Sequence, residues 1–327
     1  MMNMDGMDKT DRRSGDSGRR THDRHSSRAV TPSFGTPVPV DDRLRFPLSE
    51  RQLEIVVRDA LQEDGAFNDI TTIATVVSHR RAHGTIVARA AGVIAGVPLA
   101  VAAFRVLDPN VAIRVDVDCG GRAEYGTSVM RISGMARAIL SAERVALNFL
   151  QRLSGIATLT ARYVQAVAGT QAKILDTRKT TPGWRALEKY AVRAGGGTNH
   201  RLDLADQVLI KDNHIAAVDG DIGLAVKRAR DFAPPGARIE VECESAAQVN
   251  AAVSARADVI LLDNMRVPEL VEALREIRGR ALSEASGGIS LDNVRAIAST
   301  GVDRISVGAL THSAPALDIA LDFEALG

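Results

Sequence analysis

Aromatic residues are nearly absent from this 327-residue chain, with one Trp, three Tyr and seven Phe. A core must therefore be built from Ala, Val, Leu and Ile. Cysteine is equally scarce. Cys119 and Cys243 lie far apart and fit no metal-ligand spacing, which argues against a disulfide framework and predicts two small buried hydrophobes in a reducing compartment. Charge of one sign is also missing: 41 Lys and Arg stand against 40 Asp and Glu, so the basic face of a dedicated nucleic-acid binder is not expected. No apolar run approaches the roughly 18 residues of a membrane helix, and the first residues lack the apolar stretch of a secretory signal. Neither a nucleic acid nor a membrane is expected as a partner, and the expected location is cytoplasmic.

Residues 1–43 are rich in Arg, Asp, Ser, Gly and Thr without apolar periodicity, the composition of a disordered leader. Asp5, Asp8, Asp11, Asp16 and Asp23 count against a transit peptide, since those are poor in acids. Ordered structure is expected from Ser49, which with Gln52 has the spacing of a capping box. Leu53, Val56, Val57, Ala60 and Leu61 then follow at helical spacing until Gly65. Strands are predicted at 83–91, 111–118 and 127–133, with a helix at about 97–107, giving an α+β region with an antiparallel or mixed sheet. A long helical stretch runs from 136 to 168, eased by Gly155.

The grammar then changes. Short apolar segments at 173–176, 207–210, 238–243, 258–263, 281–286 and 304–308 are each followed by a helical pattern. This alternation predicts βα units with a parallel sheet, and six of them favour a closed or nearly closed α/β barrel. An open doubly wound sheet fits less well, because no glycine fingerprint follows an early strand.

What the chain does have is a dense positive window from Asp176 to His214, containing Arg178, Lys179, Arg185, Lys189, Arg193, His200, Arg201 and Lys211, with Gly195, Gly196 and Gly197 between them. In a near-neutral chain this suggests a pocket for a small, multiply anionic ligand. Within the window, Arg185, Lys189 and Arg193 recur at helical spacing and read as a solvated face, and the glycines read as a helix cap.

Barrel chemistry sits at the C-terminal ends of strands. Those ends read 176–179, 211–214, Glu242 and Glu244, Asp263 and Asn264, Ser286-Gly287-Gly288, and Gly308. Guanidinium forks at Arg178 and Arg201 match carboxylates, while Lys179 and Lys211 act as point charges. Glu242 and Asp263 suit either sugar hydroxyls or Mg²⁺. The Ser-Gly-Gly turn is expected to open a helix whose free N–H groups favour a phosphate. The pattern predicts a ligand with a sugar phosphate, a pyrophosphate and carboxylates.

The motifs DTRKTTPG, KYAVRAGGGTNHR, LIKDNH, EVE, LLDN, SGGIS and VGALTHS, with SAERVALNFLQRLSGIAT and DITT upstream, resemble the quinolinate phosphoribosyltransferases, also called nicotinate-nucleotide pyrophosphorylases (carboxylating). The likeness covers residues 45–327. It implies an α/β fold with an incomplete α/β (TIM-like) barrel and an N-terminal α/β sandwich domain. The sandwich would span 44–143 and the barrel 144–313, with 314–327 packing back on the sandwich. It implies conversion of quinolinate and phosphoribosyl pyrophosphate, with Mg²⁺, to nicotinate mononucleotide, pyrophosphate and CO₂ in NAD biosynthesis. It also implies a homodimer with shared active sites.

By position, Arg178, His200, Arg201 and Lys211 would bind the two carboxylates, and Arg144 would arrive from the other subunit. Lys179 would meet phosphate, Glu242 and Asp263 the ribose and metal, and Ser286, Gly287, Gly288 and Gly308 the 5′-phosphate. Lys179, Lys211, Glu242 and Asp263 are the expected catalytic groups. The bland reading of Arg144 is a snorkelling surface residue; His214 and His312 read as structural. Trp184 stands where the family often has a smaller aliphatic residue. The rival readings are a molybdate-associated paralogue, a barrel aldolase or isomerase with a Schiff base at Lys211, and a non-catalytic sensor of phosphoribosyl metabolites.

Overall fold

The structure is a computed structural model that describes residues 44–326. The expected leader lies outside the described residues. The ordered chain opens with α1 (Glu50–Glu63), where Ser49 and Gln52 form the expected capping box. Gly65 follows in the left-handed region at φ +69° and turns the chain out of the helix. After α2 (Ile70–Thr75), capped by Asp69, come β1 (Arg81–Ala88), β2 (Gly92–Val93), α3 (Val97–Leu107), β3 (Ala112–Val115), β4 (Arg122–Ala123) and β5 (Ser128–Met135). β3, β5 and β1 pair antiparallel in one sheet.

The clean alternation at 111–118 supports a strand of only four residues. Beyond it the N–H groups of Asp116 and Val117 both donate to Val129 O, and Asp116 turns to Ser128 and Arg131. The strand is the sheet's edge, so nothing on its far side holds it straight.

α4 (Ala136–Ala166) is one unbroken 31-residue helix. The expected domain division at 143/144 falls inside it, so a rigid helix joins the halves there. Gly155 does not interrupt it; a Cβ at that position would run into the Pro315 carbonyl, so the glycine lets the returning chain cross the helix closely. Leu153, Ile156 and Ala157 of α4 are fully buried in the core.

A parallel sheet follows, built from β6 (Lys173–Leu175), α5 (Arg185–Ala194), β7 (Val208–Ile210), α6 (Asp212–Ala216), α7 (Ile222–Phe232), β8 (Ile239–Cys243), α8 (Ala246–Ser254), β9 (Val259–Asp263), α9 (Val267–Ile277), β10 (Leu282–Ser286), α10 (Val294–Ala298), β11 (Arg304–Ser306) and α11 (Ala309–His312). Its strand order is β6-β11-β10-β9-β8-β7. β6 and β7 are not paired, so this is an incomplete barrel, with the segment after α5 lying along the seam through a bridge between Leu175 and Thr198. The last strand, β12 (Ile319–Ala325), leaves the barrel and pairs antiparallel with β1, completing the four-stranded sheet.

Side chains alternate across each strand, and this sets up the barrel interior. Arg238, Glu240 and Glu242 face inward along β8 and its approach, as do Leu282, Glu284 and Ser286 along β10 and Arg304 and Ser306 along β11. The interior is therefore layered, with cations at the strand starts, buried carboxylates at mid-height and a mixed polar mouth at the strand ends.

Candidate active site

The strand ends enclose a cavity of about 380 Å³, within the range of small-molecule sites. It is lined by Thr177, Arg178 and Lys179 after β6, His200 and Arg201 from the seam, Lys211 after β7, Glu242 of β8, Asp263 of β9, Ser286 of β10 and Ser306 of β11. Leu209 and Leu261 supply its apolar wall. Of the expected site residues, Arg178, Lys179, His200, Arg201, Lys211, Glu242, Asp263 and Ser286 are brought together here. Gly287, Gly288 and Gly308 lie outside this lining.

Two arginines dominate the electrostatics. Arg201 is only 6% exposed, donates from Nη1 to Gln207 O at 3.0 Å, and leaves its Nε without a partner. The buried Nε of Arg178 is likewise unpartnered. Burial and the like charge of Arg178 push Arg201 down from its ordinary value. A buried donor without an acceptor costs about 1–3 kcal/mol, more when charged. Two such guanidiniums lining one cavity make an anion-ready wall.

Lys211 forms an ion pair with Glu242, with side-chain exposures of 45% and 11%. Asp263 accepts from Asn264 Nδ2 at 2.6 Å. Asn264 itself sits at φ +56°, and a Cβ on Gly287 would overlap its side-chain amide. Gly287 (φ +86°) is thus required both by its own backbone and by the neighbour that meets Asp263.

The expectation that Ser286-Gly287-Gly288 opens a helix is not met. Both glycines have positive φ and form a turn held by Asn293 Nδ2 donating to Gly288 O, and α10 begins only at Val294. Any anion contact here would come from turn N–H groups and not from a helix dipole. Gly308 caps the four-residue α11, and a Cβ there would lie 3.1 Å from Lys179 Cδ.

His200, expected to bind a carboxylate, lines the cavity with its ring held by protein groups. Its Nδ1 accepts from the Arg201 N–H at 2.7 Å, while Nε2 faces Glu240 Oε2 at 3.2 Å and Glu284 Oε1 at 3.5 Å. Both ring nitrogens are thus committed to the protein. Burial alone would lower its pKa, but Glu240 and Glu284 outweigh it and the net direction is upward. Burial and the adjacent Glu240 push Glu284 up to about 7, as expected when two carboxylates share a dry site.

Lys189 corrects the picture of a solvated helical face. It is 2% exposed; its Nζ donates to Asp176 Oδ1 at 2.5 Å and to His200 O at 3.0 Å. Asp176 also accepts from Asn199 Nδ2 at 2.6 Å and the His200 N–H at 2.8 Å. This knot fixes the seam that carries His200 and Arg201. Arg193 is only half-buried and meets Asn199 Oδ1 at 2.6 Å; Arg185 reaches Thr180 Oγ1 at 3.0 Å. Of the three glycines, Gly195 caps α5, but a Cβ on it would strike Ala157 O of α4, so cap and close packing coincide.

Glu188 is a second residue that the sequence reading passed over. Fully buried, it accepts from Arg152 of α4 at 2.7 Å and from the Thr181 hydroxyl at 2.8 Å, and Thr311 of α11 donates to Lys179 O at 2.7 Å. The Lys179 loop is thereby tied to α4, α5 and α11. Trp184 stacks on Phe149 of α4 with centroids 5.3 Å apart, and neither lines the cavity. Arg144 is exposed on α4 and does not line the cavity of its own chain. Glu240 and Glu284 were legible in part: the i, i+2 spacing from Glu242 puts Glu240 on the same strand face.

Two family models match the chain, the quinolinate phosphoribosyl transferase N-terminal domain over residues 69–154 and its C-terminal domain over 156–322. The chain is 48% identical over 275 residues to nicotinate-nucleotide pyrophosphorylase [carboxylating] of Mycobacterium leprae (strain TN), covering 81% of this chain and 95% of that one. It is 44% identical over 276 residues to the probable enzyme of the same name from Bacillus subtilis (strain 168), covering 84% and 94%. The fold is similar to the crystal structure of NadC from Streptococcus pyogenes, with a TM-score of 0.82 and 41% identity over 86% of this chain and 99% of that one.

Proposed function

The chain belongs to the quinolinate phosphoribosyltransferase family, and from that premise we propose how its barrel mouth carries out the decarboxylating transfer. Quinolinate and phosphoribosyl pyrophosphate react to give nicotinate mononucleotide, pyrophosphate and CO₂, a step of NAD biosynthesis. The observation that carries the assignment of residues is the pair of unpartnered Nε donors of Arg178 and Arg201 on one cavity wall, beside the Lys211 ammonium. Planar forks of this kind suit two adjacent carboxylates on a ring.

Arg178, Arg201 and Lys211 hold the dicarboxylate so that the ring nitrogen points at the anomeric carbon, and much of the rate advantage is this orientation. His200 contributes as the fixed floor beneath them. As the C1–pyrophosphate bond breaks, positive charge grows on the ribose, and Glu242 and Asp263 stabilise it while Lys179 accompanies the leaving phosphates. The nitrogen–C1 bond then makes the pyridine ring cationic. Loss of the adjacent carboxylate as CO₂ sends its electron pair into that ring, and a proton from solvent takes its place. No organic cofactor is needed for the electron sink.

Oxygen donors from Glu242 and Asp263, both lining the cavity, fit Mg²⁺, which binds through one or two carboxylates plus substrate phosphates. When bound it would neutralise charge on the pyrophosphate. Glu242 would then be shared between the ion and Lys211. The same ion pair disfavours a Schiff-base role, since the Lys211 amine is engaged as an ammonium.

The exposed position of Arg144, outside its own cavity, supports a homodimer in which it completes the second subunit's site. The free thiols of Cys119 and Cys243 fit a reducing compartment such as the cytoplasm. Among the described residues no helix is long and apolar enough to cross a membrane. The test is turnover of quinolinate and phosphoribosyl pyrophosphate with Mg²⁺, reading nicotinate mononucleotide and CO₂. Use of nicotinate in place of quinolinate would sink the decarboxylating assignment, because the cationic wall would then serve one carboxylate.

A further inference from the structure

The barrel has a second recess at its opposite end. Where the strands begin, Lys173, Arg201, Arg238 and Arg304 line a cavity of about 480 Å³, with Gln171 and Gln207 among its polar walls. His200 and Arg201 line this recess and the upper cavity alike.

The cations here lack close counterions. Among the described residues Lys173, Arg201 and Arg238 form no salt bridge, and Arg304 comes no nearer than 4.0 Å to Glu284 Oε2, beyond hydrogen-bond reach. Asp303 is the one carboxylate on the wall, and Ser283 engages it through N–H at 2.9 Å and Oγ at 2.7 Å. The Arg201 Nε is buried without an acceptor, and both carboxylate oxygens of Glu284 behind Arg304 are buried without a donor. The unmet Nε calls for an acceptor that the protein alone does not supply.

Two explanations compete. The cations either balance Glu240 and Glu284 or form a binding site. Balance does not account for Lys173 and Arg238, which are exposed at the lip and make no ion pair with either glutamate. A concave recess walled by one sign of charge focuses the field onto an anion, and guanidiniums combined with a lysine suit a tetrahedral oxyanion. We propose that this lower recess is a second anion site that takes a phosphate group, free or carried by a small metabolite. Because Arg201 borders both cavities, phosphate below draws on the guanidinium that faces the substrate above, and weaker quinolinate binding at raised phosphate follows. That coupling rests on the transferase reading; the binding itself does not.

The experiment is calorimetric titration of the full chain with inorganic phosphate, and in a separate arm with ribose 5-phosphate, comparing it with Lys173→Gln/Arg238→Gln. Both substituted residues are exposed at the lip, so the variant is expected to fold with an unchanged melting temperature. Two classes of site are expected in the parent chain and one in the variant, the lost site weakened by about tenfold or more per cation removed. Sugar phosphate bound more tightly at the lost site assigns a metabolite; equal binding assigns the free ion. Equal stoichiometry and affinity in parent and variant would overturn the proposal. So would selenate soaked into crystals of the unaltered chain, if its anomalous signal appeared only beside Ser286 and Gly308.

Discussion

Replacing Lys189 with Met removes a buried cation while keeping a similar length and volume. In the native chain its Nζ neutralises Asp176 at 2.5 Å and holds His200 O at 3.0 Å, with both side chains of the ion pair almost wholly buried. Asp176 would retain only the neutral donors Asn199 and the His200 N–H. Breaking a buried pair from one side typically costs about 3–5 kcal/mol, a large share of a stability of about 5–15 kcal/mol. Removing both charges, with Asp176→Asn/Lys189→Met, should cost clearly less than the sum of the single changes, because no uncompensated charge remains. Arg185→Ala, one turn earlier on the same helix and partly exposed, should cost about 1 kcal/mol or less. Urea unfolding at neutral pH gives all four values. A loss below about 1 kcal/mol for Lys189→Met, or strict additivity in the double variant, would refute the buried-pair reasoning.

Other outcomes follow from the site. Lys211→Ala and Glu242→Ala should each lower kcat by about 10²–10³, the usual loss for one electrostatic stabiliser; near-native turnover would remove that residue from the mechanism. Arg201→Lys keeps the charge but loses the fork, and quinolinate KM should rise about tenfold or more, whereas an unchanged KM would place the dicarboxylate elsewhere. Glu284 has its folded value raised from 4.5 to about 7. Its contribution to stability is thus fully present below pH 4.5 and is lost as pH rises through 7, about 3 kcal/mol in all at 1.36 kcal/mol per pH unit. Glu284→Gln should therefore show a shallower fall in unfolding free energy between pH 4.5 and 7.5 than the parent chain, and identical slopes would contradict the shift.

Strand existence was the most legible feature, because each barrel strand is a short apolar run followed by a helical pattern. The strand ends were legible for the same reason: polar residues interrupt apolar runs where the barrel opens. What the sequence reading missed depends on contacts that come from far along the chain. Lys189 sits on a helix with charges at i−4 and i+4, the pattern of a wet face. Only the return of the seam over α5, bringing His200 and Asn199 onto Asp176, makes its environment dry. The helix expected after Ser286 failed on a local point, since two consecutive residues at positive φ cannot begin a right-handed helix.

Glu240 and Glu284 show the deeper limit. In a strand buried on both faces the hydrophobic pattern no longer tells inside from outside, and IEVEC is buried at nearly every position. Register against the neighbouring strands decides which alternate residues enter the barrel. Here it places Glu242 at the mouth and Glu240 one layer below, so one strand face supplies both a proposed catalytic carboxylate and the carboxylate beneath His200. A two-residue period thus links the chemistry at the top to the charge layer that shapes its floor.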